Sequence, residues 1–165
     1  MKTLARTLIL LALIVWLGAE IFFPVVAATT FQHLIPDTHA AGSIVGSLLR
    51  ILHWIGLTAG AFLLVLFAVA PALRVYQSRS VLAPMVLLVL MLGLTSYSQF
   101  GIIPTMERDR IAAGGAVDLA PEDNPARIDF NRLHRLSETV EEGILLLGLI
   151  LVVFTARAET TSPAA

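Results

Sequence analysis

Cysteine is absent from this 165-residue sequence, and charged residues are scarce. Without cysteine the chain forms no disulfide, holds no metal through thiolates and has no thiol nucleophile. Lysine, arginine, aspartate and glutamate together supply 14 % of the residues, against about 25 % in soluble domains. The formal net charge is −1, and no basic cluster offers nucleic acid a binding surface. These absences exclude thiol chemistry and argue against a nucleic-acid-binding protein.

Long apolar runs take the place of the missing charge, and 57 % of the chain is hydrophobic. The runs cover residues 4–30, 47–73, 81–104 and 143–156. The first three approach or exceed the roughly 20 apolar residues that cross a hydrocarbon core, and the fourth does so once the polar residues before it are included. Backbone groups in lipid must bond within their own segment, so each run is predicted to be a helix.

These runs predict an all-α integral membrane protein that folds as a four-transmembrane-helix bundle. We expect a single membrane domain over residues 1–158 and a short disordered tail over 159–165. The predicted spans within the domain are 4–30, 47–73, 81–110 and 127–156.

The basic residues beside each span predict its orientation, because lysine and arginine accumulate on the cytoplasmic side. Basic residues precede the first span, separate the second from the third and follow the fourth: Lys2, Arg6, Arg74, Arg79 and Arg157. The first connection, 32–43, contains no lysine or arginine. We therefore expect both termini in the cytoplasm. The third connection opposes this orientation with its own arginines: Arg108, Arg110 and Arg127.

Ionisable residues inside the predicted spans are the candidates for function, because a charge in hydrocarbon costs about 2.5 to 3.5 kcal/mol on insertion scales and normally faces the bundle interior. Glu20 lies in the first span, roughly 7 Å inside the outer boundary at the rise of an α-helix. In the fourth span, Asn131, His134, Glu138 and Glu141 recur at helical spacing and share one face. We predict that an interior polar network in the outer half of the bundle contains ten residues: Glu20, Arg50, His53, Glu107, Arg108, Asn131, His134, Ser137, Glu138 and Glu141.

Glycines recur in the second and third predicted spans at positions 56, 60 and 93. Small residues let membrane helices approach one another closely. We therefore predict that Gly56, Gly60 and Gly93 all lie at helix–helix contacts.

Five segments of the chain resemble one protein family: Trp16-Leu17-Gly18, 22–27 (Phe-Phe-Pro-Val-Val-Ala), 41–46 (Ala-Gly-Ser-Ile-Val-Gly), 103–106 (Ile-Pro-Thr-Met) and 130–137 (Phe-Asn-Arg-Leu-His-Arg-Leu-Ser). The resemblance is to the domain-of-unknown-function family numbered 4149, which includes the transmembrane-protein-205-like proteins. The chain departs from the family pattern at Glu141, where asparagine is expected, and at 27–28, where Ala-Pro is common. The resemblance implies a four-helix membrane protein of uncharacterised biochemistry, in the inner membrane if the source is bacterial. It supplies no catalytic residues.

The leading hypothesis is a non-enzymatic, multi-pass membrane protein whose polar network binds a small ligand, an ion or a partner subunit. A single polar region among four helices suits binding better than a complete conduction path. We predict no catalytic residue and no cofactor, because the sequence contains no fixed triad and no local metal motif such as H-E-x-x-H. The expected partners are the lipid bilayer and either a second copy of the chain or another membrane subunit.

Two other hypotheses remain open. In the first, His53 and His134 ligate a b-type haem from opposing helices, or bind a divalent metal together with Glu20 and Glu141. Such a protein would be a membrane redox protein or metal-dependent enzyme. In the second, the chain is a structural subunit of a membrane complex.

Overall fold

The computed structural model describes residues 2–160, and helices dominate that part of the chain, which contains no strand. The five α-helices are α1 (Lys2–Thr29), α2 (Thr38–Val69), α3 (Leu82–Tyr97), α4 (Ile103–Ala112) and α5 (Pro125–Thr160). Two π-helical turns extend them, one after α1 (Thr30–Leu34) and one between α3 and α4 (Ser98–Ile102). A short 3₁₀ turn, Val117–Leu119, lies in the loop before α5.

Four of the helical stretches within residues 2–160 are long and apolar enough to cross a membrane: Lys2–Leu34, Thr38–Val69, Leu82–Ala112 and Pro125–Thr160. The third stretch consists of α3, its π turn and α4. The fold is therefore an all-α, four-helix membrane bundle, and the predicted fold class is confirmed. The chain is an integral membrane protein.

Two helix ends lie beyond the predicted span boundaries, and a side-chain cap fixes one of them. Asp37 accepts hydrogen bonds from the backbone N–H groups of His39 at 2.9 Å and Ala40 at 3.4 Å, which satisfies donors at the start of a helix. α2 consequently begins at Thr38, well before residue 47. At the other end of the chain, α5 continues through Glu159 and Thr160. The rest of the predicted tail, 161–165, lies outside the described residues.

The four spans pack as a ring. α1 contacts α2, α2 contacts α3, α3 and α4 contact α5, and α5 closes the ring against α1. In this arrangement α2 and α5 lie diagonally opposite each other across the bundle axis. Large apolar side chains that point away from the axis, among them Phe22, Val65 and Leu146, are exposed, as expected for surfaces that face lipid.

Trp16 of α1 lies against a glycine surface on α2 and is almost fully buried. A Cβ atom added to Gly56 would lie 2.8 Å from the indole Nε1, and one added to Gly60 would lie 2.7 Å from the indole Cζ3. The missing side chains therefore create the space that the indole occupies, as predicted for small residues at helix contacts. The prediction is wrong for Gly93, because it faces outward from α3 and no atom lies within 4 Å of an added Cβ.

Three segments meet at the end of the bundle where α1 begins and α5 ends. Arg6 of α1 pairs with Glu159 of α5, with 3.1 Å between Nε and Oε2. Tyr76, from the loop between α2 and α3, donates its hydroxyl hydrogen bond to the same carboxylate. Burial raises the pKa of Tyr76 well above its ordinary value, and the hydrogen bond to Glu159 raises it further. The tyrosine therefore stays protonated and holds the end of α5 in place.

We predict that Gly60→Ala destabilises the bundle by about 1 to 3 kcal/mol, the usual cost of overpacking a core, because the new methyl group collides with the buried Trp16 ring. Gly93→Ala is the matched control, since it adds the same methyl group to a helix of the same bundle where no atom lies within 4 Å. The free energy of unfolding in detergent micelles measures both variants. Equal stability of the two would contradict the proposed packing role of Gly60.

Candidate functional site

The centre of the site is His53, which is 0 % exposed and lies on α2. Its Nδ1 atom is 2.9 Å from Oε1 of Gln99, and its Nε2 atom is 2.7 Å from Oε1 of Glu141. Glu141 belongs to α5, so the imidazole joins the two helices that lie diagonally across the bundle. Both ring nitrogens are thus engaged, as buried polar groups require.

The π-helical turn between α3 and α4 brings two consecutive residues to this histidine and its carboxylate. Gln99 contacts His53, while the preceding residue, Ser98, donates a hydrogen bond from Oγ to Oε1 of Glu141 at 3.2 Å. Ser98 is completely buried. Single π turns are wider than α turns and frequently occur at functional sites. Here the turn supplies both of the polar contacts that the third span makes with His53 and Glu141.

A second carboxylate completes the group from the α1 side. Glu20 is 4 % exposed, and its Oε1 accepts a 3.0 Å hydrogen bond from the indole Nε1 of Trp16. Glu141 and His53 both lie close enough to act on this carboxyl group electrostatically. We call the set Glu20, His53, Ser98, Gln99 and Glu141 the buried cluster.

The buried cluster borders a dry core on the side of the chain termini. The fully buried side chains there include Leu63, Phe67 and Leu151. Two buried hydroxyls in the same region, Thr95 and Thr155, donate only to carbonyl groups of their own helices. Within residues 2–160, therefore, no chain of buried polar side chains continues from the cluster to the end of the bundle that holds Arg6 and Glu159.

On the opposite side of the buried cluster, Glu141 is partly exposed and further carboxylates lie nearby on α5. The side chain of Glu141 is 15 % exposed, and its Oε2 atom is buried without a hydrogen-bond partner. Two further carboxylates on the same helix, Glu138 and Glu142, are exposed. Of these two, Glu138 lies about one turn from Glu141 toward the end of the bundle that contains the loop before Pro125.

Three of the residues predicted for the interior network on α5 lie on its surface, so that prediction is wrong for them. Asn131 is exposed, and the side chains of His134 and Glu138 are 54 % and 61 % exposed and pair with each other at 3.4 Å. The inward face of α5 includes Ser137, and Glu138 is rotated from it by about 100°, since an α-helix has 3.6 residues per turn. The four polar residues from Asn131 to Glu141 share one face of α5, as predicted. Only the edge of that face that contains Glu141 turns toward the bundle interior.

The predicted arginines of the network, and Glu107, also lie outside the buried cluster. Arg50 is exposed on α2. Arg108 is exposed and donates to Oγ1 of Thr105 at 2.9 Å. Glu107 binds Arg110 at 2.7 and 2.9 Å, three residues further along the same short helix.

Of the ten predicted residues, the structure brings Glu20, His53 and Glu141 together. Ser137 is buried one turn before Glu141, and the other six lie on the surface or pair locally. Trp16, Ser98 and Gln99 are missing from the prediction. Only the four-residue spacing of Trp16 and Glu20 could have indicated their contact, because no sequence signal placed the π turn.

A family model described as a domain of unknown function (DUF4149) matches residues 11–111, which is more than half of the chain. The chain belongs to this family. No curated protein matches it, and no solved structure does. The DUF4149 match includes Glu20, His53 and Gln99 and ends before α5, so the similarity at 130–137 lies outside it. The likeness to the transmembrane-protein-205-like proteins stays a prediction.

The geometry of this DUF4149 protein bears directly on the haem and metal hypotheses. His134 precedes Glu141 by two turns of α5, or about 10 Å, and it contacts Glu138 and the ring of Phe130. His53 is bound at both nitrogens by other side chains. Within residues 2–160, no group of three or more histidine, aspartate or glutamate side chains could hold a metal ion.

We predict that His53→Ala and Glu141→Ala each destabilise the protein by about 3 to 5 kcal/mol, because each leaves its buried partner unpaired. The double variant should lose less than the sum of the two, since neither partner is then left behind. Glu138→Ala, on the exposed face of the same helix, should change stability by no more than about 0.5 kcal/mol. Unfolding free energies in detergent measure the cycle, and strictly additive losses would rule out direct pairing.

Proposed function

We propose that this protein is a non-enzymatic membrane protein whose buried cluster binds and releases a proton. The observation that carries the proposal is the fully buried His53, held between Glu141 and Gln99 with Glu20 beside it. Ionisable groups at membrane depth are costly and usually mark a functional site. The cluster contains two carboxylates and one imidazole. When all three are ionised, one negative charge remains in excess, and one bound proton removes it.

Access from one side supports a pH-responsive role over conduction. Exposed Glu138 lies about one turn from Glu141 on the side of the loop before Pro125, and apolar side chains separate the cluster from the other end of the bundle. A proton that enters from the polar side leaves by the same side. Such a site reports pH on one face of the membrane and couples it to the packing of α2 against α5.

A proton fits the buried cluster better than a larger ligand does. The polar groups of the cluster already contact one another at 2.7 to 3.2 Å, so a molecule or metal would first have to break these hydrogen bonds. Haem or metal binding through His53 and His134 stays a prediction, as does a second copy or partner subunit. A Soret band or bound metal in purified protein that disappears in His53→Ala would replace the proton proposal.

Infrared spectroscopy of the protein in lipid bilayers tests proton binding directly. As the pH is lowered, we expect the C=O stretch of a protonated carboxylic acid to appear, because the cluster takes up a proton that Glu20, Glu141 or His53 shares. The pH-dependent band should change in Glu20→Gln and Glu141→Gln and persist in the surface control Glu138→Gln. A spectrum whose pH dependence is the same in all four proteins would overturn the proposal.

The proposal also includes an orientation, with both termini in the cytoplasm and the buried cluster toward the outer face, in the inner membrane if the source is bacterial. The arginines and lysine beside the spans support it. Because the chain has no cysteine, single cysteines report sidedness cleanly. A membrane-impermeant maleimide should label Glu122→Cys, in the loop before α5, in intact cells and label Ser78→Cys, between α2 and α3, only after permeabilisation. The reverse pattern would invert the orientation.

A further inference from the structure

We infer that the side-chain amide of Gln99 rotates by half a turn when the buried cluster releases a proton. Gln99 thus acts as the positioning residue that lets His53 change its hydrogen-bonding state. This inference rests on the proposed proton binding. It follows from the two contacts of His53, one to an amide that can both donate and accept and one to a carboxylate that in its ionised form can only accept.

The arrangement in the structure corresponds to the proton-bound state. Oε1 of Gln99 faces Nδ1 of His53 at 2.9 Å, and because an amide oxygen only accepts, this contact is a hydrogen bond when Nδ1 carries a hydrogen. One further proton lies between Nε2 and Oε1 of Glu141, which are 2.7 Å apart. Whether that proton belongs to the imidazole or to the carboxyl group, the pair is neutral overall.

Loss of that proton leaves the pair with one hydrogen and one negative charge. If the hydrogen stayed on Nδ1, the lone pair of Nε2 would face the Glu141 carboxylate, and two acceptors would oppose each other. If the hydrogen occupies Nε2, it donates to Glu141, but the lone pair of Nδ1 then faces Oε1 of Gln99. Turning the amide by half a rotation replaces that oxygen with the NH₂ group, which donates to Nδ1. Each ring nitrogen of His53 then faces a group with the complementary hydrogen-bonding role.

No other group near the histidine offers this exchange. The titratable and polar side chains that face His53 from the elements packed around it are Glu20 from α1, Ser98 and Gln99 from the π turn, and Glu141 from α5. Among them only Gln99 contacts Nδ1. Gln99 is half-buried at the π turn, while Ser98 beside it is fully enclosed.

Nuclear magnetic resonance of protein labelled with ¹⁵N in glutamine side chains and histidine rings tests the inference. The chain has three glutamines, Gln32, Gln77 and Gln99, so three NH₂ signals are expected. Gln32→Met and Gln77→Met, both at exposed positions, identify the Gln99 signal without altering the cluster. The sample is titrated from about pH 4 to pH 9, which brackets the ordinary range of carboxyl and imidazole groups.

We expect one proton of the Gln99 NH₂ group to shift downfield with the same midpoint as the His53 ring nitrogens, while the Gln32 and Gln77 signals stay unchanged. In Gln99→Glu, a carboxylate that can only accept should keep both His53 ring nitrogens protonated at a pH where the native protein has lost one proton. A His53 titration that leaves the Gln99 amide unchanged overturns this inference and leaves proton binding standing. If neither the His53 ring nor the carboxyl groups of the cluster titrate in this range, the Gln99 inference and the proton-binding proposal are both overturned.

Discussion

The contact between His53 and Glu141 is the constraint on which the arrangement of the polar groups depends. It joins α2 to α5 across the bundle, at a depth where lipid offers no alternative hydrogen-bond partner. Because the imidazole has two nitrogens and the second is bound to Gln99, the same contact also sets the position of the third span. Three of the four spans are therefore held in register by one fully buried side chain.

Trp16 connects the buried cluster to the apolar packing between α1 and α2. Its ring fills the space left by Gly56 and Gly60 on α2, while its Nε1 donates to Glu20. A displacement of α1 against α2 would therefore disturb the carboxylate as well as the core. The first span, α1, is tied to α2 in this way, and one rigid side chain contacts both the buried cluster and the apolar packing.

The helices could be predicted from the sequence far better than the site. Apolar runs of sufficient length dictate spans in lipid, and the pairing of buried Glu20, His53 and Glu141 follows from the cost of isolated charge in hydrocarbon. The rotation of α5 could not be predicted, because His134 and Glu138 share a helical face with Glu141 and only packing decides which edge turns inward. Gln99 was missed because a π turn has no sequence signal comparable to an apolar run, and the turn alone brings this residue to the histidine.

The charge balance of the buried cluster is the reason why we propose that it binds a proton. One carboxylate and one imidazole would form a neutral pair with no further requirement, and a buried pair of that kind is a structural element. The second carboxylate upsets this balance, because Glu20 on α1 and Glu141 on α5, two neighbouring helices of the ring, both act electrostatically on the one imidazole. Either glutamate alone could be explained by His53, but both together require an additional positive charge. Since Arg50 and Arg108 are turned to the surface, neither of these predicted cations supplies the charge, and this is the argument for the proton that we propose.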